Sequence, residues 1–208
     1  MIKHLSPVTA LLATLTLTAC TVFPIPEPPR IMDLAAPDSQ QIFAQAQNAS
    51  IRIDTPLASA PFEGSQILVK PTPYEFQTIG EIRWRDTAPV MVRDHLVRHL
   101  RKSEGFRNII VDTSPANAEL ALISELTAFH AIKHNGSLNI VIQLHTEMMS
   151  NRQREGLCVR NWTVNEPVGD GQLDSIVQGF SKAANRLNND LTTWLSDCLD
   201  QYHKSSGS

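Results

Sequence analysis

Two neighbouring segments with a strict period of two constrain this chain most. From Glu119 to Lys133 the apolar residues Leu120, Leu122, Leu126, Ala128 and Ile132 occupy even positions. From Leu138 to Met148 the even positions again carry them, at Leu138, Ile140, Ile142, Leu144 and Met148. Such alternation belongs to strands with one face on a core. Between them lies His134-Asn135-Gly136. A two-residue Asn-Gly turn pairs even with odd positions and sets the two apolar faces on opposite sides of the sheet. A three-residue loop with Gly136 in a bulge pairs even with even, and this register is the one expected. LCVRNWTV then supplies a third strand with Cys158, Trp162 and Val164 on one face.

The remaining elements follow from local signals. Ser50–Asp54, Gln66–Lys70, Glu75–Arg83 and Asn108–Asp112 read as strands. Asp86 or Thr87 is placed to cap a helix with Pro89 in its first turn, and Val92, Leu96 and Leu100 recur at spacing four. Gly105 is expected to supply its left-handed stop, with Phe106 folding back onto the core. A longer helix carries Leu173, Ile176, Phe180, Ala184, Leu187, Leu191, Leu195 and Cys198 at three- and four-residue steps. The expected class is α/β (α+β), in two layers: a mainly antiparallel sheet with two helices packed on one face.

The N-terminus has the form of an export signal. Lys3 precedes an apolar run from Val8 to Leu17, about half the ~20 residues that span a bilayer. Leu17-Thr18-Ala19-Cys20 resembles a bacterial lipobox. In such proteins the cysteine receives a diacylglyceryl group, the chain is cut before it, and the new N-terminus takes a fatty acid such as palmitate. Two or more chains hold a protein firmly at a membrane. Thr21 stands where lipoprotein sorting rules would need aspartate for inner-membrane retention, so the resemblance implies the outer membrane, with the domain on the periplasmic side. The prolines at 24, 26, 28, 29 and 37 favour an extended, solvated chain. The expected divisions are a signal peptide over 1–19, a lipid-anchored tether over 20–49, a domain over 50–203 and a tail over 204–208.

Two cysteines remain in the mature chain. If Trp162 faces the helices, so does Cys158, and Cys198 lies on the apolar stripe of the long helix. An even pair in an oxidising compartment favours a Cys158–Cys198 disulfide, with two buried free thiols as the other reading.

The chemistry of catalysis is not legible. The chain has no GxxxxGK[ST] phosphate loop, no G-x-S-x-G elbow and no H-E-x-x-H zinc motif. His95 and His99 are four apart on the first helix, but Arg93, Arg98 and Arg101 surround them, so a solvated helix face is expected rather than a metal site. His130 and His134 are about 13 Å apart on a strand, too far to share a ligand. His145 is expected on the face away from the core. A net charge of -3 without basic clusters excludes a nucleic-acid surface. Three Asn-x-Ser/Thr triplets at 48, 135 and 161 need a eukaryotic secretory route, against which the lipobox argues.

The order of these elements resembles the ABC-type transport auxiliary lipoproteins, including the paraquat-inducible type associated with mammalian-cell-entry (MCE) systems. The residues that carry the resemblance are Trp84, Asp86 and Pro89 at the helix start, Gly105-Phe106 at its end, and the hairpin followed by VRNWTVNEPV. The resemblance implies a non-enzymatic outer-membrane component of intermembrane lipid transport, with no cofactor beyond the acyl lipid on Cys20. The implied partners are an MCE-domain protein, the inner-membrane ABC transporter complex and outer-membrane lipid, with a homo-oligomer left open. A structural scaffold of a secretion or outer-membrane biogenesis complex is the other class. Ile123, Phe129 and Val141, on the second sheet face, are the candidate interface.

Overall fold

A computed structural model describes residues 28–38, 43, 45–134 and 136–206. The signal segment, Cys20, Asn135 and the last two residues lie outside the described residues. The described elements are β1 (Arg30–Met32), β2 (Gln47–Ile53), β3 (Gln66–Thr72), β4 (Glu75–Trp84), α1 (Ala88–Ser103), β5 (Phe106–Val111), β6 (Leu120–His134), β7 (Ser137–Ser150), β8 (Glu155–Val168) and α2 (Leu173–Ser206).

β6 organises the sheet because it is long enough to serve three partners. Along one edge it pairs antiparallel with β7 over its whole length, and β7 pairs antiparallel with β8. On the other edge Leu120–Leu122 pair with Ile51–Ile53 of β2, and Ala131 and Ile132 pair with Val69 and Lys70 of β3, both parallel. β5 extends the sheet beyond β2, while β4 and then β1 extend it beyond β3. The two long hairpins make the sheet mainly antiparallel by residue pairs, with parallel pairings confined to short stretches. Both helices lie on one face, over a core that includes Ile51, Ile53, Trp84, Leu122, Ile140, Ile142, Phe180 and Leu187. Trp84, Phe129 and Phe180 meet at its centre with ring centroids 4.7–5.7 Å apart.

The hairpin turn differs from the three-residue loop. His134 pairs with Ser137, which encloses two residues, and Gly136 has φ 80°. The parity conflict that argued against this turn is resolved in the middle of β6. A β-bulge at Thr127 separates Leu126↔Leu144 from Ala128↔Gln143. Upstream of it even residues face even ones, as in Leu122↔Met148; downstream odd face even, as in Phe129↔Ile142 and Ala131↔Ile140. One extra residue moves the core-facing set from even to odd positions, so that the hairpin keeps a single buried face.

The first helix ends on Glu104, which takes the left-handed conformation (φ 54°) expected of Gly105. Gly105 is required for another reason: a Cβ there would lie 2.5 Å from a carbon of the Phe43 ring. The ordered domain also reaches further back than residue 50. β1 pairs with β4, Leu34 is buried, and β2 begins at Gln47, so the stretch expected to be solvated tether up to 49 contributes to the fold.

Candidate functional site

The stretch that leads back towards Cys20 is strapped across both helices. Arg85 bridges Asp33 at 2.9 Å and Asp94 of α1 at 3.2 Å. The Ala35 amide donates to Ser181 Oγ (3.0 Å), and the Asp38 amide donates to Asn185 Oδ1 (3.1 Å), both on α2. The Lys102 ammonium of α1 donates to the Pro37 carbonyl (3.2 Å). Leu34 inserts into the core between these ties. Polar groups of an irregular segment need partners when they approach a buried surface, and here the helices supply them. The sequence reading missed this strap, although Ile31, Met32 and Leu34 are an apolar cluster among the prolines that marks it.

His95 belongs to the strap and not to a solvated face. It is fully buried; its Nε2–H donates to the Ala35 carbonyl at 3.2 Å, and Nδ1 accepts from Asn188 Nδ2 at 2.8 Å. That network fixes one neutral tautomer. Burial, with Arg98 nearby, pushes its pKa down to about 4. His99 is also fully buried, neither ring nitrogen has a partner among the described residues, and burial lowers its pKa. Arg93 reaches Asp94 and Asp112, and Arg101 reaches the Ile109 carbonyl, so arginines beside the histidines in sequence did not predict that the histidines are solvated. No group of three or more His, Cys, Asp or Glu able to hold a metal occurs among the described residues.

The face of the sheet away from the helices holds the candidate interface residues, with one exception. Phe129 is 1% exposed in the aromatic core, because the bulge at Thr127 turned it inward. Val141 is half-buried on the outer face. Ile123 is 36% exposed and aligns across the strands with Glu147 and then Val159, itself 58% exposed. The next row is Glu125, His145 and Asn161, with His145 Nδ1 bonded to Asn161 Oδ1 at 2.7 Å. Leu57, 70% exposed, lies beside Glu125 along the other edge of β6. His130 is buried on this same side between Phe62 (5.8 Å) and Phe76 (5.2 Å), with Nδ1 unpartnered. Burial, with Lys70 nearby, takes its pKa down to about 4.

Cys158 of β8 and Cys198 of α2 are joined in a disulfide, Cα–Cα 6.2 Å. It ties the last turns of the long helix to the outermost strand of the long hairpins.

The described residues thus present a strap, an outer sheet face and a disulfide tie. The sequence model of the family described as ABC-type transport auxiliary lipoprotein component matches residues 33–192. Protein XCC0632 from Xanthomonas campestris has a similar structure, with TM-score 0.75 and 17% identity, over 84% of this chain and 99% of that one. Hypothetical protein CT253 from Chlamydia trachomatis is similar with TM-score 0.50 and 9% identity, over 72% of this chain and 96% of that one. At these identities the structural likeness shows the fold alone. No curated protein matches the sequence. The family match begins at Asp33, where the strap begins, runs through α1 and ends at Thr192 within α2. The chain belongs to the ABC-type transport auxiliary lipoprotein component family.

Proposed function

We propose that the protein is anchored through acyl chains on Cys20 in the outer membrane, facing the periplasm, and serves there as the auxiliary component of an MCE/ABC-type intermembrane lipid transport system. The observation that carries this reading is the juxtaposition of the lipobox with a family domain that starts at Asp33, thirteen residues after Cys20. The strap supports it mechanically: a pull on the anchor is passed through Asp33, Ala35 and Asp38 to both helices. Energy for transport would come from the ATPase of the complex. The exposed sheet face around Ile123, Val141 and Val159 is the surface assigned to the MCE-domain partner, since apolar side chains interspersed with Glu147 and His145 suit a protein contact. Capture of the intact lipidated protein from membranes, with Cys20→Ala as control, tests the reading by mass spectrometry. Recovery of an MCE-domain protein with its transporter, weakened by Cys20→Ala, is the expected result. Recovery of secretion or outer-membrane assembly components alone would replace it with the scaffold role.

A further inference from the structure

The register of β1 gives the domain an orientation. Arg30 pairs with Ile82 and Met32 with Trp84 in parallel, so β1 is entered from the Glu75 side of β4. At that end the β3–β4 turn presents Tyr74, 97% exposed. Pro71 and Pro73 precede it, and their fixed φ angles stiffen the approach to the turn that displays the ring. The β6–β7 turn lies at the same end, because β6 runs parallel to β3 with Lys70 beside Ile132 and stops at His134. Exposed Lys133 sits there, and Lys70 lies over the Phe76 ring at 5.0 Å. Glu75 is also present, bonded to Gln77.

Chain length then limits the geometry. Ten residues (20 to 30) reach at most about 35 Å. The eight residues from Ile82 back to Tyr74 cover at most about 26 Å. A tether fully extended along β4 therefore carries Cys20 only ~10 Å beyond the level of Tyr74. The opposite end, with the turn after β7, lies about 45 Å away along the 14 residues of that strand.

We infer that the β3–β4 turn is a second membrane contact: Tyr74 seats in the headgroup layer of the leaflet that holds the acyl chains of Cys20, and Lys70 and Lys133 face its anionic lipids. A tyrosine with an apolar ring and a polar tip suits that layer, and nearby lysines add attraction to anionic headgroups. The turn after β7 and the end of α2 then project into the periplasm. This inference rests on the proposed acylation of Cys20.

The test uses the full lipidated protein in phospholipid vesicles that contain phosphatidylglycerol and bromine-labelled acyl chains. Tyr74→Trp places a fluorophore on the turn, Arg152→Trp places one at the far end, and the parent protein supplies the background from its own three tryptophans. The expected result is blue-shifted emission with strong bromolipid quenching for Tyr74→Trp, and neither effect for Arg152→Trp. Equal quenching of the two variants, or none for Tyr74→Trp, overturns the orientation. The mass of the N-terminal peptide, read on the same preparation, separates the two ideas. An acylated chain with an unquenched turn removes the membrane contact alone, whereas an unacylated Cys20 removes the anchor and the contact together.

Discussion

His95 Nε2 donates a hydrogen bond to the carbonyl of Ala35 at 3.2 Å, so a fully buried side chain of α1 holds the backbone of the segment that leads to Cys20. The strap and the helix pair are one mechanical unit. Replacing Leu34 by Ala removes the strap's buried anchor and should cost ~2–5 kcal/mol. Hydrogen exchange checks the location of the loss: the amides of Ala35 and Asp38 should lose protection before those of β6 and β7. Uniform loss across the domain would contradict a strap held locally by Leu34.

The buried histidines predict sensitivity to acid. The unfolded chain takes up a proton on each near 6.5, whereas the folded state resists until about 4 at His95 and His130. Their neutral forms thus contribute stability that is complete above 6.5 and is lost as pH falls towards 4, by up to ~3 kcal/mol for each group. Urea midpoints measured from neutral to mildly acidic pH should fall steeply in this window. His130→Leu should flatten the fall and raise stability at neutral pH by ~1 kcal/mol, since it removes an unpartnered Nδ1 between two phenylalanine rings.

Reduction of the Cys158–Cys198 bond should weaken the fold. A loop of 40 residues corresponds to ~4 kcal/mol of chain-entropy stabilisation. The C-terminal turns of α2 should exchange fastest in Cys158→Ser with Cys198→Ser. A melting temperature unchanged by reductant would refute the tie.

Two residues of the long hairpin, six apart on β6, should respond oppositely to truncation. Phe129→Ala should cost ~3–5 kcal/mol, because it empties the aromatic centre shared with Trp84 and Phe180. Ile123→Ala should stay within ~0.5 kcal/mol while weakening partner capture. Denaturant titration of the two purified variants decides the point.

Close approach of Phe43 to Gly105 predicts a coupled pair. Gly105→Ala should cost ~1–3 kcal/mol, because the ring must move to admit the methyl group. In a Phe43→Ala background the same change should cost much less, and a double-mutant cycle of thermal melts reads the difference. Equal costs in both backgrounds would show that the ring does not set the constraint.

Local spacing in the sequence was sufficient for both helices, the strands from β2 to β8, the layer arrangement and the placing of Cys158 and Cys198 on facing surfaces. Each of these depends on periods of two or of three to four residues that a single segment carries by itself. Three features needed the assembled fold. The bulge at Thr127 is a relation between two strands, so alternation in β6 alone placed Phe129 outside and misassigned the turn at Gly136. Burial of His95 depends on α2 and the strap covering a stripe wider than the apolar one on α1. β1 spans three residues, too few to show a period, and exists because β4 offers it an edge. Each segment's own residues limit what it can become, whereas the choice of which faces meet belongs to the assembled fold, because pairing register and burial are properties of two surfaces in contact.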